Sequence, residues 1–400
     1  MQYINKIEKM LVKSLNEITL SQELIKIPSY SGYDKKIINF IKDYLEELGF
    51  KCNILCYEGD DSYKVNNLHA VFNPKNSKNI FYFAGHTDIV NEGDKNSWQF
   101  DPFAGQIKDG KLYGRGACDM KCAIACFMTA VKEFLQENKE PDFGIGFLIT
   151  NDEESDGVNG TKKVLSWMQE NDYNISSCIV GEPTNPSKFG EMMKVGRRGS
   201  VSFSLKITGK QGHVAYHNIA INPNSILIDI LKILKDHKFN EDSEFFDATN
   251  LEVTAIESQN LGENVIPSHA SANFNVRFND KNSGQDIIDL VKYVCDKSMT
   301  VTEGAKSDYQ LKSRISGESF LCEPKRLANL AKESLIKITG ITPELSTTGG
   351  TSDARFIKDY CQDMIELGLI NKTAHKIDEY SEILEITQLK DTYLDILKKY

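Results

Sequence analysis

The chain has 400 residues, with 47 lysines and arginines against 57 aspartates and glutamates, a formal net charge of −10, 40% hydrophobic residues and 26% charged residues. That balance belongs to a globular chain with room for roughly two to three domains, and it excludes collagen-like, disordered and membrane-embedded classes. The acidic excess argues against a nucleic-acid partner, and with no apolar run of ~18 residues and no signal-peptide pattern over 1–20, a cytoplasmic protein without a membrane partner is expected.

In chain order, Ile37, Ile41, Leu45 and Leu48 recur at helical spacing and Gly49 stops the helix. Apolar runs over 67–72, 80–84, 144–150 and 178–180 read as strands, with helical stretches over 120–135 and 162–169 between and after them. Strands separated by helices specify an α/β fold, a mostly parallel sheet flanked by helices. After Pro186 the texture changes. Val201, Phe203, Leu205 and Ile207 alternate as in a strand buried on one face. A helix over 225–237 follows, then strands over 251–256 and at Ala270, Ala272, Phe274, Val276 and Phe278. A helix over 286–297 and a strand near 309–313 complete the order β-α-β-β-α-β, the ferredoxin-like arrangement. A helix over 327–338 and a strand over 363–367 return to the α/β texture. The expected organisation is one α/β domain in two parts, 1–187 and 304–400, interrupted by an inserted ferredoxin-like α+β domain at 188–303. The nine cysteines show no disulfide framework and no paired C-x-x-C. Cys118, Cys122 and Cys126, four apart, read as small apolar residues on one buried helix face.

Ligands in open α/β sheets bind beyond the carboxyl ends of the strands. There the sequence places His86-Thr87-Asp88, Asn151-Asp152-Glu153-Glu154, Glu182 and His375, while Gly114-Arg115-Gly116 opens a loop that delivers Asp119. Imidazoles and carboxylates converging on one edge suit a divalent metal centre, with zinc or a neighbouring transition metal favoured. Asp88, two residues from His86, can accept its ring proton and orient it. Of the adjacent Glu153 and Glu154, one can bind metal while the other stays free as a base. Singly, Asp119 reads equally well as a helix N-cap, 152–156 as a solvated acidic turn, and Glu182 as loop surface. Their joint occurrence at strand ends carries the functional reading. His69, His237 and His269 fall inside strand or helix patterns and are expected to be structural.

His86-Thr87-Asp88, Gly114-Arg115-Gly116-Ala117-Cys118-Asp119-Met120-Lys121, Asp152-Glu153-Glu154 and Gly181-Glu182-Pro183-Thr184 resemble, in order, the motifs of the acetylornithine deacetylase, succinyl-diaminopimelate desuccinylase and carboxypeptidase-G family of dinuclear zinc hydrolases. The resemblance runs over nearly the whole chain. Gly196-Arg197-Arg198-Gly199-Ser200, Gly212-His213-Val214-Ala215-Tyr216, Asn264-Val265-Ile266-Pro267, Gly349-Gly350-Thr351-Ser352-Asp353-Ala354-Arg355-Phe356 and Ala374-His375-Lys376-Ile377-Asp378-Glu379 look like the desuccinylase branch. Cys122 departs from the usual Gly after Asp-Met-Lys, and His217-Asn218 replaces the usual Pro-His, which leaves the loop shape beyond His213 open.

The resemblance implies a metal-dependent amide hydrolase that cleaves N-succinyl-LL-2,6-diaminopimelate to LL-2,6-diaminopimelate and succinate, in lysine and peptidoglycan precursor biosynthesis. It implies two divalent ions per subunit, zinc with cobalt able to substitute. Asp119 would bridge them, with His86 and Glu182 completing one site and Glu154 and His375 the other. Asp88 and Glu153 would be catalytic, Glu153 as general base. The interrupted domain would be the catalytic, metal-binding one, and the insert a lid through which a homodimer forms, His213 reaching the neighbouring subunit's site. The dicarboxylate substrate calls for local cations, and Arg197, Arg198 and Arg277 are the candidates, since guanidinium matches carboxylate as a fork. Ser200, Asn264, Thr351 and Ser352 are candidate neutral donors. Rival readings are a deacylase of the same family acting on acetylornithine or an N-acyl amino acid, and a non-catalytic binding homologue. A nucleotide-binding enzyme finds no Gly-rich loop ending in Lys-Ser/Thr.

Overall fold

The computed structural model describes residues 15–400 apart from 33–34, 60–61, 156, 260–261 and 303–304. Most of the 1–20 stretch read above as lacking a leader, and the expected domain boundary at 303/304, lie outside the described residues. The first elements are α1 (Glu17–Ile25), α2 (Lys36–Glu47), β1 (Lys51–Tyr57), β2 (Val65–Phe72), β3 (Ile80–His86), α3 (Cys122–Glu137), β4 (Gly144–Thr150), α4 (Thr161–Glu170), β5 (Ser177–Val180) and β6 (Met192–Lys194). Then come β7 (Gly199–Thr208), α5 (Pro223–Asp236), β8 (Asn250–Ser258), β9 (His269–Phe278), α6 (Gly284–Ser298) and β10 (Asp308–Gly317). The chain closes with α7 (Arg326–Thr339), β11 (Glu344–Ser346), β12 (Met364–Glu366) and α8 (Ile383–Lys399). Contacts divide it into two compact units. The first takes the described residues up to Val195 with Cys322–Ser346 and Ser352–Tyr400, and the second takes Gly196–Leu321 with Thr347–Thr351.

The first unit is an eight-stranded sheet in the order β1-β2-β4-β3-β5-β12-β6-β11. Its centre, from β4 through β3 and β5 to β12, is parallel. The chain folds this way because β3 and β4 are buried along their whole lengths, which needs continuous apolar runs and cover on both faces. The sequence pattern did not foresee that β2 runs antiparallel to both β1 and β4. On one face α3 lays Phe127 flat on Phe83 of β3, centroids 4.6 Å apart, and edge-on against Phe147 of β4 and Tyr393 of α8. Cys118, Cys122 and Cys126 are fully buried, and no cysteine is disulfide-bonded. α8 and α1, which periodicity did not single out, pack on α3.

The second unit is a four-stranded antiparallel sheet, β8-β9-β7-β10. Val201, Phe203, Leu205 and Ile207 of β7 and Ala270 to Phe278 of β9 turn alternate side chains onto α5 and α6, forming a separate core. α6 starts at a capping box of Ser283 and Asp286. Because β10 pairs with β7 over its full length, this unit extends to Leu321, past the expected end at 303. Among the described residues no helix is long and apolar enough to cross a membrane.

Phe127 is fully buried between two strands and α8. Phe127→Ala should therefore destabilise the first unit by about 3–5 kcal/mol, read from the denaturation midpoint in urea, with the second unit's transition unmoved.

Candidate functional site

Because β3, β4, β5 and β12 are parallel, their carboxyl ends lie along one edge of the sheet. His86 is the last residue of β3, Glu153 and Glu154 follow β4, Glu182 follows β5, and the chain after β12 turns back to His375. Asp119 arrives from the loop before α3. Its backbone (φ −124°, ψ 93°) is not helical, and α3 begins only at Cys122. The N-cap reading of Asp119 is thereby set aside. Close approach at this edge depends on two glycines. A Cβ on Gly85 would come within 2.4 Å of Met120 Cε, and one on Gly181 within 2.7 Å of the same atom.

Asp119 stands between the two imidazoles. Its Oδ1 is 3.0 Å from His86 Nε2 and its Oδ2 is 3.4 Å from His375 Nε2. His86 Nε2 also lies 3.7 Å from Glu182 Oε1, and His375 Nε2 lies 2.8 Å from Glu154 Oε1. Burial works against a proton on His86, but the Asp119 hydrogen bond and the charges of Glu182, Asp119 and Asp88 raise its pKa well above the ordinary value. Hydrogen bonds to Asp119 and Glu154 push His375 up to about 10. Asp119 is held below the usual carboxylate range: burial pushes it up, and the two imidazoles pull it down further. Carboxylates that hold protons on both imidazoles present the same field to a divalent cation. The donor atoms of His86, Asp119 and Glu154 lie within 4.8 Å of one another, as do those of His86, Glu153 and Glu182. Nitrogen and oxygen donors in such sets fit zinc or a neighbouring transition metal.

Asp88 takes a different part from the one expected. The atom nearest His86 Nδ1 is the main-chain oxygen of Asp88 at 2.9 Å, while its carboxylate is 3.6 Å away. The buried carboxylate instead accepts from Ser31 Oγ at 2.7 Å, Glu153 N at 3.0 Å and Glu154 N at 2.9 Å. Three donors outcompete one ring N–H, so Asp88 fixes the backbone of the acidic pair. Of that pair, Glu154 turns to His375, while Glu153 lies 3.8 Å from Arg355 Nη1. Burial and the charges of Glu182 and Asp353 raise the Glu153 pKa well above the ordinary value.

Ser352 lies in the first unit and donates to Glu366 at 2.5 Å. Arg197, Arg198, Ser200, His213, Asn264, Arg277 and Thr351 belong to the second unit. Arg197 is buried and donates to Gly350 O at 3.2 Å, and Arg198 donates to Asn250 Oδ1 at 3.0 Å. Arg277 pairs with Ser200 across β9 and β7, and its buried Nη1 has no hydrogen-bond partner among the described residues. Burial, then the charges of Arg198 and Arg197, lower its pKa, as expected of clustered cations without an acid. His213 Nε2 is 3.5 Å from Asn264 Nδ2. Of the histidines expected to be structural, His69 is buried against Tyr82, Trp167 and Tyr173. Sequence reasoning passed over Ser31, Arg355 and the buried pair Arg115–Glu379. Arg115, Arg355 and Glu379 sat inside strings already singled out, whereas nothing in the sequence marks Ser31.

The pattern of peptidase family M20/M25/M40 matches residues 82–399. A protein of Pelagibacter ubique named succinyl-diaminopimelate desuccinylase is 44% identical, the match covering 96% of this chain and 99% of that one. An identically named protein of Ehrlichia ruminantium is 42% identical over 96% and 98%. Among solved structures, an M20 family metallo-carboxypeptidase from Sulfolobus solfataricus superposes with a TM-score of 0.76 at 19% identity, covering 96% and 98%. A dinuclear metal-binding M20 peptidase of Bacillus subtilis gives 0.63 at 15%, covering 96% and 97%. These two show a shared fold.

The hydrogen bonds to Asp88 should protect the Glu153 and Glu154 amides. In Asp88→Ala, loss of about 1–3 kcal/mol of local protection should speed hydrogen exchange there roughly 10–100-fold, while the amides of β3 stay protected.

Proposed function

The chain belongs to peptidase family M20/M25/M40, and from that membership we propose that it hydrolyses the amide of N-succinyl-LL-2,6-diaminopimelate to LL-2,6-diaminopimelate and succinate. The observation that carries the chemistry is Asp119, with one carboxylate oxygen toward His86 and the other toward His375, as a ligand shared by two cations requires. The names of relatives aligned over 96% of the chain support the substrate. His86, Asp119 and Glu182 would hold one ion and Asp119, Glu154 and His375 the other, zinc in both with cobalt able to substitute. When bound, such ions polarise the amide carbonyl and lower the pKa of water.

The chain's own groups do the rest. Glu153 takes the proton of the attacking water and returns it to the leaving amine. Asp88 holds the backbone of Glu153 and Glu154 so that one carboxylate stays on the metal side and the other on the substrate side. Arg277, with a donor unspent, is the strongest candidate for a substrate carboxylate. Arg197 and Arg198 already spend part of their forks on Gly350 and Asn250. Ser200, Asn264 and Thr351 are the neutral donors, since the Ser352 hydroxyl already donates its hydrogen bond to Glu366. We assign His213 to the oxyanion, supplied within a homodimer formed through the second unit, in a cytoplasmic enzyme.

Hydrolysis of N-succinyl-diaminopimelate and of acetylornithine, each with and without added zinc, tests the reading. Zinc-dependent preference for the succinylated substrate is expected, and preference for acetylornithine would move the protein to another branch of the family.

Glu153→Gln should lower kcat by about 10²–10⁴ and leave bound metal unchanged, both measured on one sample. Loss of metal with activity would make Glu153 a ligand, which its place beside His86 and Glu182 also permits.

Arg277→Lys should cost about 1.5–3 kcal/mol in kcat/KM for the succinylated substrate and leave Tm nearly unchanged, because Lys cannot reproduce the fork. An acyl substrate without the distal carboxylate should lose less.

A further inference from the structure

Glu379 lies outside every role assigned so far. It is fully buried. Its Oε2 accepts from Arg115 Nη1 at 2.7 Å and from Gly116 N at 3.1 Å. Its Oε1 accepts from Cys118 N at 2.9 Å and from Asp119 N at 3.2 Å. Three of the four bonds on this carboxylate therefore come from the backbone of one loop, the loop that carries Asp119. These amides precede α3, which begins at Cys122, so no turn of that helix supplies them with carbonyls. A buried N–H without an acceptor costs free energy comparable to a lost hydrogen bond, and Glu379 answers three of them at once.

A carboxylate that served only to neutralise Arg115 would not need that geometry. Arg115 also donates to Lys376 O at 3.2 Å and Asn91 O at 3.3 Å, and its guanidinium carbon lies 5.2 Å from the Trp98 ring. It is anchored by several partners, of which Glu379 is one. The main chain of Glu379 adds a further tie, accepting from Gly114 N at 2.9 Å.

The same short segment carries His375, whose φ of +62° is a left-handed conformation that non-glycine residues seldom adopt. Three residues separate an imidazole on one side of Asp119 from the carboxylate that accepts from the Asp119 backbone. The spacing between His375 Nε2 and Asp119 Oδ2 is thus set through a single stretch of chain. Metal–ligand distances tolerate only about 0.2 Å, so a loop free to drift by more than that would present Asp119 to one ion at the expense of the other.

We propose that Glu379 is a positioning residue: it clamps the 116–119 loop and fixes the aim of Asp119 between His86 and His375, and so sets metal affinity and turnover without touching metal or substrate. The inference rests on the reading of Asp119 as a shared metal ligand. Metal-free wild type, Glu379→Asp, Glu379→Gln and Asp119→Asn are titrated with zinc by calorimetry, and kcat and KM are then measured at saturating zinc. Glu379→Asp keeps the charge opposite Arg115 and withdraws the carboxylate by one methylene. It should retain native circular dichroism, bind zinc about 10–100-fold more weakly and lose about 10–100-fold in kcat, with KM within about threefold. Glu379→Gln should lose at least as much, since its amide turns a donor toward donors. A folded Glu379→Asp with wild-type zinc affinity and kcat would overturn the proposal. If Glu379→Asp does not fold, the paired change Arg115→Met with Glu379→Gln, which leaves no unpaired buried charge, takes its place with the same two outcomes. Asp119→Asn separates the two levels. If it binds zinc as wild type, the functional reading fails; if it loses zinc while the Glu379 variants do not, the positioning inference alone fails.

Discussion

The carboxylate of Asp119 lies between two imidazoles, and the remainder of the site is arranged around that contact. Asp119, Glu153, Glu154 and Glu182 crowd one edge of the sheet, with Asp88 and Asp353 close behind. Their mutual repulsion is strong wherever the dielectric is low. Burial and this repulsion together raise the pKa of Glu153, and the same carboxylates raise those of His86 and His375. Added positive charge relieves such a cluster, and cations bound between these donors would supply it.

Parallel strands β3 and β4 end in register at His86 and Thr150, and β5 ends opposite Ala84, two residues short, so the residues that follow them meet without long loops. Phe83, on the strand bearing His86, packs against Phe127, Phe147 and Tyr393. Gly85 and Gly181 then leave room for Met120, whose Sδ lies 3.4 Å from the His86 amide. Core packing and ligand placement are thus joined through the residue next to Asp119.

Much of this was legible in the sequence, and the reasons differ by element. Continuous apolar runs marked β3 and β4 because both faces of those strands are covered. Alternation marked β7 and β9 because one face is. The antiparallel direction of β2 was hidden, since a strand's burial pattern carries no sign of direction. α8 was hidden for another reason. Its apolar positions, Ile386, Leu389, Tyr393 and Ile396, are interleaved with Glu385, Lys390 and Asp395, which are themselves largely buried and paired. At the site, the residue types and their strand-end positions pointed to each candidate ligand, but hydrogen bonding could not be read. Spacing suggested the Asp88 carboxylate for the His86 ring; only the fold shows that two backbone amides and Ser31 claim that carboxylate and leave the ring to a carbonyl.

Asp88 and Glu379 share a logic that explains how an acidic chain can concentrate so many carboxylates in one place. Each is buried, and each spends most of its acceptor capacity on loop amides: Asp88 on Glu153 and Glu154, Glu379 on Gly116, Cys118 and Asp119. Those amides leave the strands and helices just where the chain must bend to present a ligand, so secondary structure cannot pair them. A neutral side chain such as Asn offers one acceptor oxygen and brings a competing donor. A carboxylate offers two oxygens and no donor, and its bonds to N–H groups are charge-assisted. The desolvation cost is offset in part locally, by Arg115 and the Gly116 amide for Glu379, whose pKa burial still raises, and by the converging N–H and O–H dipoles for Asp88. Acidic residues therefore stand at this site at two depths, as candidate metal donors whose oxygens face one another and, beneath them, as acceptors that anchor loop amides.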